Sequence, residues 1–146
     1  MTVDDSLNMV RLGNVQMSPD GEWVFFSKSE LDWGKNKRNK RYFMIPASGG
    51  KAVQYIGDAG GSSFQFSPDG KYLSFRRTVD KKSQVFIMSL KGGEAFQLTH
   101  HNNSIESYKW SPDASKIFFT ANEPTGEEEE KEYNLGDDAV FIFEGP

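Results

Sequence analysis

The segment Gln65-Phe-Ser-Pro-Asp-Gly-Lys-Tyr-Leu-Ser-Phe75 decides the fold, because close copies of it occur twice more along the chain. The earlier copy is Gln16-Met-Ser-Pro-Asp-Gly-Glu-Trp-Val-Phe-Phe26, and the later copy is Lys109-Trp-Ser-Pro-Asp-Ala-Ser-Lys-Ile-Phe-Phe119. In these copies, proline presets φ for the first central position of a type I turn, and glycine supplies the positive φ that returns the chain into the next strand. Each copy therefore predicts a β-hairpin.

The third copy carries Ala114 where the other two carry Gly21 and Gly70. An alanine held at positive φ costs roughly 1 kcal/mol relative to glycine. We therefore expect the third turn either to carry that strain or to be built slightly differently.

The three copies recur at a spacing that fits one blade of a β-propeller. Ser18 and Ser67 are 49 residues apart, and Ser67 and Ser111 are 44 residues apart. HEAT and armadillo repeats have a similar length, but they need amphipathic helices, and no window of this sequence has a 3.6-residue apolar period. The sequence therefore predicts an all-β fold, a partial β-propeller of two to three four-stranded antiparallel blades with strands A to D in each.

The blade pattern predicts the domain boundaries. We expect residues 1–146 to form one incomplete N-terminal propeller domain, with blade 1 at about 12–57, blade 2 at about 62–100 and a partial blade 3 at about 104–146. Blade 3 contains an acidic insertion at 123–138, and a short helix is predicted at Asp4–Val10 before the first blade. The run Asp138–Phe143 is either strand C of blade 3 or an extra strand inside a long insertion. Because a propeller closes with four to eight blades, we expect the chain to be a fragment.

Within each blade, the pattern also predicts strands and loops. The predicted strands cover 13–17, 22–28, 42–46 and 52–56 in blade 1, then 63–66, 72–77, 84–90 and 95–99 in blade 2, then 105–110 and 116–121 in blade 3. Residues 29–40 are predicted to be a loop. Because strands alternate in direction, the cationic segment Lys35–Arg41, the glutamates at 127–132 and the connectors at 57–61 and 100–104 share one face. We hypothesise that this long-loop face carries a domain or subunit contact.

Composition excludes several classes of function. The chain has a formal net charge of -4, which gives no reason to expect a nucleic-acid partner. No apolar run is long enough to span a bilayer, so we expect no membrane partner and a soluble protein, cytoplasmic or bacterial periplasmic. The chain has no cysteine, which removes disulfides, zinc-thiolate sites and a cysteine nucleophile. We predict no catalytic, cofactor-binding or metal-binding residue in the chain, and no cofactor.

Several short motifs resemble functional sites without matching one. Gly60-Gly-Ser-Ser-Phe64 lacks the last glycine of Gly-x-Ser-x-Gly, and Gly57–Gly61 lacks the Lys-Ser/Thr of a phosphate-binding loop. His100 and His101 are adjacent in a loop, so we interpret them as chance surface histidines and not as a base oriented by a third group. The cationic residues of Trp33–Arg41 are interpreted as solvated and not as a phosphate or acidic-partner site.

The Ser-Pro-Asp-Gly hairpins at 18–21 and 67–70, the Gly-Gly turns at 49–50 and 92–93 and the Phe96–Thr99 strand resemble the WD-type repeats of TolB-like propellers. Such propellers also form the N-terminal domain of the prolyl oligopeptidase family of serine peptidases. The opening Leu7–Gly21 and the acidic insertion followed by Gly136–Asp138 are similar to the acylaminoacyl-peptidase and dipeptidyl-peptidase branch of that family.

The resemblance implies a non-catalytic propeller that caps the active site of a C-terminal α/β-hydrolase domain and filters peptide substrates. The parent protein would then be a serine-type peptidase, a hydrolase acting in proteolysis. The implied partners are that hydrolase domain, the remaining blades and the peptide substrate, and self-association of the chain is a further expectation. The glutamates at 127–130 do not match the paired glutamates that hold the substrate amine in dipeptidyl peptidases, so no functional residue is transferred.

A free-standing TolB-like interaction propeller with no enzymatic activity is the alternative. The coding sequence downstream of Pro146 discriminates between the two, because further blades followed by a Gly-x-Ser-x-Gly elbow indicate a peptidase.

Overall fold

The structure of the chain is a computed structural model that describes residues 9–121 and 139–142. In this part of the chain every regular element is a β-strand, so the all-β prediction is confirmed. The strands are β1 (Arg11–Met17), β2 (Trp23–Asp32), β3 (Lys37–Pro46), β4 (Val53–Ile56), β5 (Ser62–Phe66), β6 (Tyr72–Val79), β7 (Lys82–Ser89), β8 (Phe96–Gln97), β9 (Ile105–Trp110), β10 (Lys116–Ala121) and β11 (Ala139–Ile142). A helical segment with the length and hydrophobicity of a membrane span is absent from the described residues.

The strands form three antiparallel sheets in two compact units. The unit Met1–Gly60 contains the first sheet, in which the order is β1-β2-β3-β4. The unit Gly61–Pro146 contains a second sheet, in the order β5-β6-β7-β8, and a third, in the order β11-β10-β9. Neighbours in each sheet are consecutive in the chain, so each sheet is a meander of hairpins, as the repeat predicts.

The Ser-Pro-Asp turns join β1 to β2, β5 to β6 and β9 to β10 through the same hydrogen bonds. In the first turn, the Gly21 amide donates to the Ser18 carbonyl at 2.9 Å, and the Trp23 amide donates to Ser18 Oγ at 2.9 Å. The Tyr72 and Lys116 amides donate to the corresponding serine hydroxyls in the other two turns, also at 2.9 Å. The serine thus binds across the base of each turn, which explains why it precedes the proline every time.

Ala114 adopts the left-handed conformation that glycine adopts in the other two turns. Its φ is 58°, compared with 73° at Gly21 and 69° at Gly70, and its amide donates to the Ser111 carbonyl at 3.0 Å. Of the two alternatives for the third turn, the structure therefore selects the strained one.

The hairpin of β2 and β3 is longer than the sequence predicts. The two strands pair without a break from Trp23 opposite Pro46 to Asp32 opposite Lys37, so the predicted loop at 29–40 is wrong and residues 33–36 alone connect the strands. Apart from Leu31, this extension is polar on both faces, so it lacks the alternation that identifies a half-buried strand in a sequence. Lys28 Nζ lies 2.8 Å from Glu30 Oε1, which balances charge along the extension.

The fourth strand of the second sheet is shorter than predicted. The ladder covers only Phe96–Gln97 of the predicted 95–99 segment. Thr99 Oγ1 accepts the Val85 amide at 2.9 Å, so a side chain takes the position that a strand carbonyl would otherwise occupy, and the regular ladder ends there.

β11 pairs with β10 from Lys116 opposite Ile142 to Phe119 opposite Ala139. The run predicted at Asp138–Phe143 therefore takes the third place in its sheet, which is the place of strand C. The acidic insertion at 123–138 lies outside the described residues, as does the part of the predicted Asp4–Val10 helix before Met9. Met9 and Val10 are not helical.

Between the second and third sheets lies a hydrophobic core within the unit Gly61–Pro146. Its buried members are Val85, Ile87, Leu98, Ile105, Tyr108, Ile117 and Phe119. Val85 and Ile87 alternate along β7, and Ile117 and Phe119 alternate along β10, so one face of each strand contributes to the core. Ile105 and Tyr108 of β9 join this core, which holds the two sheets face to face.

Candidate interaction surface

The described residues contain neither a metal-binding cluster nor an unsatisfied buried polar side chain. In the two described ranges, no group of three or more His, Cys, Asp or Glu residues could hold a metal ion. Every buried side-chain nitrogen and oxygen in those ranges has a hydrogen-bond partner. The described residues therefore offer no unsatisfied buried polar atom to which a ligand could bind. We consider interaction surfaces as the candidates for function.

The serine and aspartate of each Ser-Pro-Asp turn form a close pair that resembles an activated nucleophile. Ser111 Oγ donates to Asp113 Oδ1 at 2.5 Å, and Ser67 Oγ donates to Asp69 Oδ1 at 2.6 Å. The hydrogen bond from Ser111, followed by those from Ser115, lowers the pKa of Asp113 to about 2, so this carboxylate is a poor proton acceptor. The serines are also buried, so these pairs stabilise turns and do not form a catalytic site.

His101 is part of the packed structure, so its interpretation as a chance surface residue is wrong. Its ring lies edge-on against Phe119, with 5.6 Å between the ring centroids. Its Nδ1 accepts the Asn103 amide at 3.1 Å. His100 is exposed, and the two histidines therefore differ although they are adjacent.

Buried Gln84 holds the loop that contains His101. Its Oε1 accepts the Thr99 hydroxyl at 2.9 Å and the His101 amide at 3.0 Å, and its Nε2 donates to the His101 carbonyl at 2.9 Å. One side chain thus binds two residues of the seven-residue connection between β8 and β9, which has no regular structure of its own. The sequence did not predict this role. The signal that could have indicated it is a glutamine at the start of the otherwise apolar strand predicted at 84–90.

Polar contacts join the second sheet to the third along β5, β6 and β9, and we call them the polar seam. Tyr108 Oη donates to the Ser63 carbonyl at 2.5 Å, and Trp110 Nε1 donates to Ser74 Oγ at 2.8 Å. Arg76 Nη1 donates to the Ile105 carbonyl at 3.0 Å and also to the next carbonyl along β9. Burial raises the pKa of Tyr108, so its hydroxyl remains protonated and able to donate. The polar seam fixes the edge of the third sheet to that of the second.

The extension of the β2–β3 hairpin carries the predicted cationic segment. Six of the seventeen Lys and Arg residues of the chain lie between 28 and 41. Lys35, Lys37, Lys40 and Arg41 are exposed, and 57% of Trp33 is exposed at the tip. From Lys37 to Arg41 the segment belongs to β3 and not to the predicted loop, so these side chains project at fixed positions from a sheet. The hypothesis that the long-loop face carries a contact stays a prediction.

Comparison with protein families finds no family model that matches the chain. Among curated proteins, the chain is 30% identical over 129 residues to the protein named Uncharacterized peptidase YuxL of Bacillus subtilis, which covers 87% of this chain and 20% of that protein. It is 26% identical over 123 residues to dipeptidyl-peptidase 5 of Porphyromonas endodontalis, covering 84% of this chain and 18% of that protein. The chain spans about a fifth of the length of these relatives.

Solved structures show the same fold. An acylaminoacyl peptidase in complex with Z-Gly-Gly-Phe-chloromethyl ketone aligns with a TM-score of 0.62 and 20% identity, covering 86% of this chain and 19% of that one. The β-propeller domain of the Trilobed protease from Pyrococcus furiosus, whose topology is called open velcro, aligns with a TM-score of 0.54 and 20% identity, covering 75% of this chain and 34% of that one. The solved structures confirm the predicted partial β-propeller, and the curated relatives confirm the predicted resemblance to the peptidase branch.

Proposed function

We propose that this chain, a propeller part of the kind found in prolyl oligopeptidase family peptidases, caps the active site of a parent serine peptidase and filters its peptide substrates. The catalytic serine, aspartate and histidine would lie in a C-terminal α/β-hydrolase domain of the parent. The observation that carries the proposal is that 87% of the chain aligns with a peptidase.

The polar seam supports a filtering role because it limits how far the second and third sheets can separate. Each of its bonds joins a group on β5 or β6 to a group on β9, and hydrogen bonds of this type contribute roughly 0.5–1.5 kcal/mol each. Tyr108 and Arg76 supply two of them from side chains that reach across the gap between the sheets. A filter needs sheets that do not separate, because only a rigid opening excludes a peptide that is too large to pass through it.

The test uses the full-length protein encoded by the gene and two substrates, a dipeptide p-nitroanilide and a 20-residue peptide. Loosening the seam with Y108F and R76Q should raise kcat/KM for the long substrate relative to the short one by about threefold or more, since two restraints are lost. The matched control is S107A, which removes the 2.8 Å contact between Ser107 and Thr120 within the third sheet and leaves the seam intact. We expect the control to leave the ratio unchanged.

Three outcomes would contradict the proposal. Peptidase activity in the isolated 146-residue chain would show that the catalytic groups lie within it. A full-length protein without a hydrolase domain would favour the free-standing propeller. An equal change in kcat/KM for both substrates would show that the seam affects stability or the active site in general and not the size of the substrate.

A further inference from the structure

The outer edge of β3 extends beyond the strand that covers it. β4 pairs with β3 only at Tyr42, Phe43 and Met44, whereas β2 pairs with β3 along its whole length. Residues 37–41 of β3 therefore continue past β4, and no further strand of the described residues lies on that side. A strand edge presents backbone N–H and C=O groups at regular intervals, and an extended peptide can add to it as a new strand.

Side chains along this edge are cationic on both faces of the sheet. Alternation along the strand places Lys37 and Arg41 on one face and Arg38 and Lys40 on the other. Lys37, Lys40 and Arg41 are exposed. A strand that added here would lie beside these side chains on either face, because neighbouring strands share their faces.

One of the two faces carries cations without carboxylates within the hairpin. Lys40 lies opposite Ser29 of β2, which lies opposite Arg11 of β1, and Arg38 lies opposite Leu31. These five positions share a face, and three of them are cationic. On this face no cation lies directly opposite another, and Arg38 Nη1 donates to the Met9 carbonyl at 3.2 Å, so Lys40 is the exposed cation of β3 on this face.

The carboxylates of the other face are already engaged. Glu30 Oε1 lies 2.8 Å from Lys28 Nζ, and the hydrogen bond from Lys28 is the main cause that holds the pKa of Glu30 below its usual value. Asp32 accepts the Lys35 amide at 3.2 Å and the Asn39 side-chain amide at 3.1 Å. Asp32 also lies opposite Lys37, and the charge of Arg41 contributes to the lowered pKa of Glu30. Because six cations stand against two carboxylates between residues 28 and 41, the extension of the hairpin keeps a positive charge.

We propose that the edge of β3 from Lys37 to Arg41 is a docking site for an acidic segment of another polypeptide, which adds to the first sheet in an extended conformation. Lysine on an edge strand repels neutral or cationic strands, which commonly protects proteins from aggregation. The same charges select a strand that carries glutamate or aspartate at alternate positions, because such a strand pairs its backbone and its side chains together.

The edge favours a polypeptide over a nucleic acid for two reasons. A peptide strand matches the spacing of about 3.3 Å per residue along β3, whereas a phosphate backbone has no N–H and C=O groups to pair with the edge. The chain as a whole has a net charge of -4, which repels a long polyanion from most of its surface. This inference does not depend on the peptidase proposal.

The experiment uses the 146-residue chain and an eight-residue, fluorescein-labelled peptide of alternating threonine and glutamate. Fluorescence anisotropy at about 50 mM salt should show binding that weakens as salt rises, and hydrogen exchange should show new protection of the amides at 37–41. The triple variant K37Q, K40Q and R41Q should weaken binding about tenfold, from three exposed charge pairs. A peptide of alternating threonine and lysine should not bind the unmodified chain.

Two matched controls separate strand addition from general charge attraction. The variant K51Q, K91Q and K109Q removes three exposed positive charges elsewhere, and it should change binding by less than about twofold. The same acidic peptide with N-methyl groups on alternate backbone nitrogens keeps its charge but cannot pair with a strand edge, and it should lose at least about tenfold in affinity.

The proposal is overturned if the acidic peptide does not bind, or if the N-methylated peptide binds as well as the unmodified one. It is also overturned if the two triple variants lose affinity equally, or if an eight-nucleotide single strand binds as tightly as the peptide. Binding of the alternating lysine peptide with equal affinity would likewise refute it, and this last measurement needs no variant that must fold.

Discussion

Replacing Ala114 with glycine should stabilise the protein, although it removes a methyl group. Ala114 has φ of 58° and the same turn hydrogen bond as Gly21 and Gly70. The left-handed conformation costs a residue with a Cβ roughly 1–2 kcal/mol. Glycine in turn loses roughly 0.4–1 kcal/mol through the greater entropy of its unfolded state. The difference is a net gain of about 0.5–1 kcal/mol in the free energy of unfolding.

Urea unfolding followed by tryptophan fluorescence measures this difference by linear extrapolation. The matched control is Gly21→Ala, since φ at Gly21 is 73° and a Cβ added there would have no atom within 4 Å, so backbone strain is the sole cost. We expect Gly21→Ala to lower the free energy of unfolding by an amount similar to the gain from Ala114→Gly. If Ala114→Gly leaves stability unchanged or lowers it while Gly21→Ala is destabilising, the strain assigned to the third turn is wrong.

Three further predictions concern packing, a buried hydrogen-bonding side chain and acid stability. Gly61→Ala should lower the free energy of unfolding by about 1–3 kcal/mol, because the added Cβ would lie 2.7 Å from Phe75 Cδ2. Gly57→Ala is the control, because a Cβ added there meets open space, and it should change the free energy of unfolding by less than about 0.5 kcal/mol in chemical denaturation. Equal effects of the two substitutions would refute the packing argument. Gln84→Ala should cost about 2–3 kcal/mol and raise hydrogen exchange in the loop that Gln84 holds, because several bonds to its amide are lost together, and unchanged exchange would contradict this role. The pKa of Asp113 is lowered to about 2 in the folded state, so its stabilising effect is present above the unfolded pKa of about 4 and is lost as pH falls toward 2. The difference in unfolding free energy between the wild type and Asp113→Asn should therefore shrink between about pH 4 and pH 2, and a difference that is constant across this range would disprove the assignment.

Local turn chemistry made much of the fold predictable. The bounds of β9 and β10 agree residue for residue with the strands predicted on either side of the third turn. Proline, aspartate and glycine act through the φ and ψ of their own and adjacent residues, so their effect is readable without knowing the rest of the molecule. The period between turns then identified one antiparallel sheet per repeat.

The candidate surfaces were less predictable because they depend on distant residues. The hydroxyl of Tyr108 meets a carbonyl at Ser63, 45 residues earlier, and the amide of Gln84 meets the backbone of His101, 17 residues later. No local pattern encodes either distance. The extension of β2 and β3 was missed because its polar residues gain their order from the opposite strand and not from a buried face.

The amino-acid sequence by itself determined the three turns and the antiparallel sheets that follow from them, because both depend on interactions between residues that are close in the chain. The same turn motifs carried the likeness to peptidase propellers. The tertiary structure alone decided which side chains join the second sheet to the third, which histidine is packed and how far the cationic strand extends past its neighbour. These features arise when strands that are distant in sequence come within hydrogen-bonding distance, and only folding brings them there.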